Sequence, residues 1–249
     1  MTQIPYWQSR TALLLGNETL QTLHKARVLV VGLGGVGGIC AEMIARSGVG
    51  HLTIADGDTV DLSNCNRQIA ALHSTKDRLK TDVLAQRIKD INPDIDLKTI
   101  DQYLKNEQID ELLDTNHWDY VVDCIDTLSP KIQLLKGCID RNIRIASAMG
   151  AGGKTDPSLI KIADISQSYN CTLARYVRKK LNQLNIKTGI KVVFSPQDID
   201  HSRVIETDTA FNKKSVIGTI GYMPALFGCM LASVVIRDLC PDFVNQSNT

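Results

Sequence analysis

The chain's 249 residues suffice for one large α/β domain with a substantial core, or for two smaller ones. A net charge of +1 excludes a global basic field, so any nucleic-acid surface has to be a local patch. Seven cysteines, odd in number and without a Cys-x-x-Cys pair, read as cytosolic thiols and exclude a structural zinc of the four-cysteine kind, and the amino terminus lacks an export signal, so a cytoplasmic location is expected.

From residue 20 to 150, short β-branched runs alternate with helix-period segments. Strands are expected over residues 28–31, 51–55, 95–100, 120–125 and 143–148, and helices over 35–46 and 78–91, the second stopped before Asn92-Pro93. Ser129 reads as the N-cap of a further helix with Pro130 at its first position. This alternation predicts an α/β fold, a doubly wound Rossmann-like, mostly parallel sheet. After Gly150-Ala151-Gly152-Gly153, strands over 159–165 and 190–194 flank a basic helix and are expected to continue the sheet in mixed orientation. Residues 196–215 read as a long, charged, mobile loop without structure of its own. The apolar run 222–239 is expected to be a core or dimer-interface helix, with peripheral membrane association left open, and residues 241–249 a frayed end. Nothing marks a linker, so the chain reads as a single ATP-binding domain, 1–249, with an N-terminal arm over 1–19.

The turn after the first strand is rich in glycine. Gly32 supplies the tight turn, Gly34 with Gly35 the close backbone approach to phosphate, and Gly37 the contact of helix on strand. Asp56, about twenty residues further on, ends the second apolar run, where a carboxylate accepts hydrogen bonds from ribose hydroxyls. A pyrophosphate needs little more than the helix N-terminus, yet Asn64, Arg67, Lys80 and Asp126 follow. Fixed cations and a carboxylate are what a triphosphate and its metal require, so the surplus predicts ATP with Mg²⁺ in preference to NAD. Arg67 suits bidentate phosphate contact, and Asn64 would orient phosphate or metal-bound water. Asp126 would hold the metal, with Asp123 on the same strand as the alternative ligand or its partner. Asp58 joins the nucleotide set, although it and Asp61 also suit turns. The glycine loop, Asp56 and Asp126 should converge at the carboxyl ends of their strands.

Residues 27–68, with Lys80 and Val122-Asp123-Cys124-Ile125-Asp126, resemble the ATP-binding fold shared by ubiquitin-activating enzymes and the HesA, MoeB and ThiF proteins, which adenylate a carboxylate. Arg10-Thr11-Ala12-Leu13-Leu14-Leu15-Gly16, Asn66-Arg67-Gln68-Ile69, Ile91-Asn92-Pro93, Gly150-Ala151-Gly152-Gly153-Lys154 and Asp156-Pro157 are similar to the tRNA threonylcarbamoyladenosine dehydratases. The resemblance implies a homodimer that uses ATP to activate the threonylcarbamoyl carboxylate on the modified adenosine beside the tRNA anticodon. It also implies that Arg10 reaches the neighbouring subunit's phosphates, which completes a catalytic set of Arg10, Arg67, Lys80 and Asp126. The alternative is an adenylyltransferase for a ubiquitin-like sulfur carrier, with a sulfur-carrier or sulfurtransferase partner in place of tRNA. Asn170 reads as an N-cap that puts Cys171 at a first helical position ahead of Arg175 and Arg178, as an activated or a bystander thiol. Arg175, Arg178, Lys179 and Lys180 form either a solvated face or a tRNA phosphate contact.

Overall fold

The computed structural model describes residues 4–200, 202, 204–206 and 215–241. Two short helices, α1 (Ser9–Leu15) and α2 (Asn17–Lys25), lead into strand β1 (Arg27–Val31). There follow α3 (Gly37–Arg46), β2 (His51–Ala55), α4 (Lys80–Ile91), β3 (Asp96–Ile100), α5 (Asn106–Asp114), β4 (Tyr120–Asp123), α6 (Leu128–Asp140) and β5 (Ile145–Ala148). The remainder comprises β6 (Lys161–Asp164), α7 (Thr172–Gln183), β7 (Lys191–Phe194), β8 (Val204–Glu206), β9 (Ser215–Ile217) and α8 (Tyr222–Leu239).

Seven strands form one sheet in the order β3-β2-β1-β4-β5-β7-β6. All neighbours run parallel except β6, which is antiparallel to β7, so the mixed orientation expected after residue 150 is present. Parallel strands covered on both faces must be apolar on both. In β1, Val28 and Val30 enter a core shared with α2, α3, α4 and α8, while Leu29 and Val31 enter a second core under α5, α6 and α7. Each such fully buried Val or Leu contributes roughly 1.5–3 kcal/mol of transfer free energy. Helix α8 belongs to the first core: Met223, Phe227, Leu231 and Val235 are fully buried. It is long and apolar enough to cross a membrane, but half of it lies inside the fold.

Several boundaries differ from the sequence pattern. Strand β4 stops at Asp123, not 125, because Ile125 N–H turns back to the Asp123 carboxylate at 3.0 Å. Helix α4 starts at Lys80, not 78, because Val60 N–H holds the Arg78 carbonyl at 2.8 Å and Leu79 bridges to Thr59, which keeps the chain extended there. Ser129 is not a cap: Thr127 holds that position, and Ser129 and Pro130 are the second and third residues of α6. Proline is tolerated there because first-turn N–H groups have no intrahelical partner. Residues 196–215 are not structureless, since Val204, Ile205 and Glu206 pair with Ile217, Val216 and Ser215 in an antiparallel hairpin. Its β-branched ends were masked by the charged sequence between them. The rest of that expected loop, at 201, 203 and 207–214, lies outside the described residues, as do 1–3 of the arm and 242–249 of the tail.

Candidate nucleotide-binding site

The carboxyl ends of β2, β1 and β4 lie side by side, and the chain leaves β1 through Gly32. Gly32 has φ 88°, and a Cβ there would lie 2.8 Å from the Cys124 carbonyl oxygen, so this position demands glycine. Gly37 opens α3 so close to the turn that a Cβ would stand 1.7 Å from the Gly32 carbonyl oxygen. Gly35 backs onto α8, its added Cβ 2.9 Å from that of Pro224. Gly34 is different: an added Cβ meets only Gln68 Nε2, at 3.9 Å, so this glycine faces open space. Helix α3 has no side-chain cap. Gly38 N–H turns back to the Gly34 carbonyl at 3.1 Å, which leaves the N–H groups ahead of it and the positive end of the dipole for an anion.

Asp56 ties the turn down, accepting the Leu33 N–H on Oδ2 at 2.5 Å and the Asp58 N–H on Oδ1 at 2.8 Å. Burial raises the Asp56 pKa, while the Lys80 ammonium opposes that rise. Each carboxylate oxygen keeps a lone pair for a ribose hydroxyl.

Lys80 is buried at the start of α4, and its Nζ pairs with Asp58 Oδ2 at 2.6 Å. The other Asp58 oxygen accepts the hydroxyl of Tyr103, a residue just beyond β3 that the sequence pattern did not single out. Hydrogen bonding to Asp58 pushes the Tyr103 phenol up to about 12, and burial and the charges of Asp58, Asp56 and Asp126 add to the rise. Asp56, Asp58, Lys80, Tyr103 and Asp126 thus share one electrostatic neighbourhood. Among the described residues no three His, Cys, Asp or Glu side chains are grouped to hold a metal alone. A Mg²⁺ ion would share its coordination between a protein carboxylate and phosphate oxygens, as that ion commonly does.

Asp123 is the last residue of β4, yet its carboxylate is not open to this edge. It is fully buried, accepting Lys131 Nζ at 2.5 Å and Ser147 Oγ at 2.6 Å on Oδ2. Lys131, also fully buried, spends its other donors on Ser147 Oγ at 3.1 Å and the Ala148 carbonyl at 3.0 Å. A buried pair this completely satisfied costs about 3–5 kcal/mol to break from one side. Asp126, exposed in the turn after β4, is the carboxylate left at the strand end.

Asn64 builds the turn that carries Arg67: its Oδ1 accepts the Asp61 N–H at 3.3 Å in a capping box. Arg67 Nη1 donates to the Ser63 carbonyl at 2.9 Å and to Asn66 Oδ1 at 2.7 Å. Asn66 in turn donates Nδ2 to the Thr219 carbonyl at 3.0 Å, so the arginine is braced from the segment after β9. Gln68 Oε1 is buried with no hydrogen-bond partner among the described residues, next to the open face of Gly34. An orphaned acceptor at this position fits a site built to receive a polar ligand. Two residues are not brought into the cluster. Arg10 is exposed on α1, where it forms no hydrogen bond or ion pair among the described residues. Cys171 is itself the N-cap of α7 and is buried in the second core, because Asn170 has φ 45°, outside the extended region an N-cap requires.

The tRNA threonylcarbamoyladenosine dehydratase of Bacillus subtilis is 38% identical to this chain over 241 residues, 94% of each. That of Haemophilus influenzae is 35% identical over 89% of this chain and 88% of its own length. The crystal structure of the Escherichia coli tRNA N6-threonylcarbamoyladenosine dehydratase in complex with ATP superposes with a TM-score of 0.87 at 29% identity, covering 99% of this chain and all of that one. The ThiF family model matches residues 8–248. With its glycine turn, buried Lys80 and doubly wound sheet, the chain belongs to the ThiF family.

Proposed function

We propose that this protein is an ATP-dependent dehydratase that adenylates the carboxylate of threonylcarbamoyladenosine in tRNA and so drives its cyclisation. The observation that carries the reading is the opening at Gly34, an uncapped helix start beside the buried Lys80–Asp58 pair, in a chain matched along nearly its full length by dehydratases. In the first step a substrate carboxylate oxygen attacks the α-phosphorus of ATP, and the bond to pyrophosphate breaks. In the second a nitrogen of the modification closes on the acyl carbon, AMP leaves with the carboxylate oxygen, and the nitrogen's proton passes to solvent. One water is lost overall.

The N–H groups at Gly34 and the start of α3 would bind phosphate, with Asp56 on the ribose and Gly35 and Gly37 keeping the backbone close. Arg67 and Lys80 would neutralise charge on the leaving pyrophosphate; Lys80 uses one donor on Asp58 and has two more. Asp126 would hold Mg²⁺, which when bound screens the triphosphate. Arg10 would act in a homodimer, from one protomer onto its partner's nucleotide. Leu13 and Leu14 on the same helix are 89% and 71% exposed, an apolar surface that a second subunit would cover. The protein would work in the cytoplasm as a single domain.

Exchange of labelled pyrophosphate into ATP tests this reading. Exchange should require tRNA bearing the modification, and Asp126→Ala should lower it at least a hundred-fold while ATP still binds. Exchange driven by a diglycine-tailed carrier protein, with tRNA inert, would overturn the proposal.

A further inference from the structure

Between Asp164 and Asp198 the chain has no acidic residue, yet it carries Arg175, Arg178, Lys179, Lys180, Lys187 and Lys191. In a chain of net charge +1 this is a local basic field. The fold sorts these cations. Arg178 donates to Ser168 Oγ and Lys191 pairs with Asp238 at 2.5 Å, so both are committed internally. Arg175, Lys179, Lys180 and Lys187 stay exposed, and Lys161 of β6 joins them.

Two tyrosines stand among the exposed cations, Tyr169 and Tyr176, 46% and 48% exposed. Each is paired with a cation: Lys161 Nζ donates to the Tyr169 hydroxyl at 2.7 Å, which leaves the ring face clear, and the Arg175 guanidinium lies 5.3 Å from the centroid of Tyr176. The Tyr169 ring is braced edge-on against the buried Phe194, centroids 5.8 Å apart at 75°. Its exposed face is therefore held in place without being covered.

The location matters as much as the chemistry. Phe194 ends β7, and Lys161 is its register partner on β6. This is the carboxyl edge of the sheet, the edge that also presents Gly32 and Asp126. From β4 across β5 and β7 to β6 is three strand spacings, about 14 Å. A few nucleotides span that distance.

We propose that Tyr169 and Tyr176, with Lys161, Arg175 and Lys179, dock the single-stranded loop of the tRNA next to the reacting adenosine. Unpaired bases stack on tyrosine rings and on arginine planes, and the lysines meet the phosphates between them. Rings interleaved with cations match bases interleaved with phosphates along a single strand, which favours RNA over a carrier protein. The assignment rests on the dehydratase reading.

The full-length protein should be titrated with a fluorescein-labelled anticodon stem-loop at several salt concentrations. Tyr169→Ala and Tyr176→Ala should each weaken binding roughly five-fold or more, and Tyr169→Phe and Tyr176→Phe should bind nearly as wild type, because the ring is what stacks. Lys161→Ala and Arg175→Ala should each lower the log-log salt slope by about 0.7. ATP affinity without RNA should stay at the wild-type value in all six variants, which reports that they are folded. If wild type dehydrates tRNA while all four alanine variants bind RNA with wild-type affinity and slope, the docking surface is wrong and the dehydratase reading stands. If wild type neither binds nor dehydrates tRNA, both fall together.

Discussion

At the scale of single residues, Asp58 is the pivot between strand ends, since one oxygen takes the Lys80 ammonium and the other the Tyr103 hydroxyl. The Tyr103 bond makes its own pH signature. Its phenol is raised from 10.0 to about 12 in the fold, so the folded state holds that proton more tightly than the unfolded one. The stabilisation is complete below pH 10 and is lost as pH rises through about 12. Wild type should accordingly be more stable than Tyr103→Phe at pH 8, by an amount kept small by the exposure of the ring, and the gap should close toward alkaline pH. Urea midpoints for the two proteins between pH 8 and 12 would show it; a constant gap would mean that the bond does not form. The glycines, Asp56 and Asp126 stood out as candidates in the sequence because each follows or ends an apolar run, and Arg67 and Lys80 because they add cations to that set. Tyr103, Gln68 and Lys131 were not, because what distinguishes them is a partner supplied by a distant strand or turn.

At the scale of elements, the turn between β1 and α3 separates two kinds of glycine. Gly34 has an ordinary backbone conformation and open space beyond its Cα, whereas Gly37 has a carbonyl oxygen where its side chain would be. Gly34→Ala should leave stability within about 1 kcal/mol of wild type yet weaken ATP binding at least ten-fold, because the methyl occupies the phosphate's approach. Gly37→Ala should lose about 1–3 kcal/mol or more, since backbone must move to admit the methyl. Thermal melts and ATP titrations on both variants distinguish the cases, and equal destabilisation of the two would contradict the assignment. The order of parallel strands was legible because strands buried on both faces read as continuous apolar runs. Where an element begins was not: the start of α4 is set by pairing of Val60 with Arg78, and the β8–β9 hairpin by contacts its own charged sequence conceals.

At the scale of the whole molecule, the proposed reading has a second copy complete the site. Arg10 stands exposed on α1 with Leu13 and Leu14 and makes no hydrogen bond or ion pair among the described residues. On the homodimer reading, Arg10→Ala and Lys80→Ala should each be inactive alone, and mixing them should restore up to about a quarter of wild-type turnover. That fraction follows from random pairing, in which half the dimers are mixed and one of their two sites is intact. Mixed dimers that form but stay inactive would place each site within one chain. The central claim is tested most directly by mass spectrometry of nucleosides from threonylcarbamoyladenosine-bearing tRNA incubated with the protein and ATP. The account predicts conversion of the modified adenosine to a product lighter by one water, with AMP and pyrophosphate formed in equal amounts. An unchanged nucleoside in the presence of protein that binds ATP would contradict it.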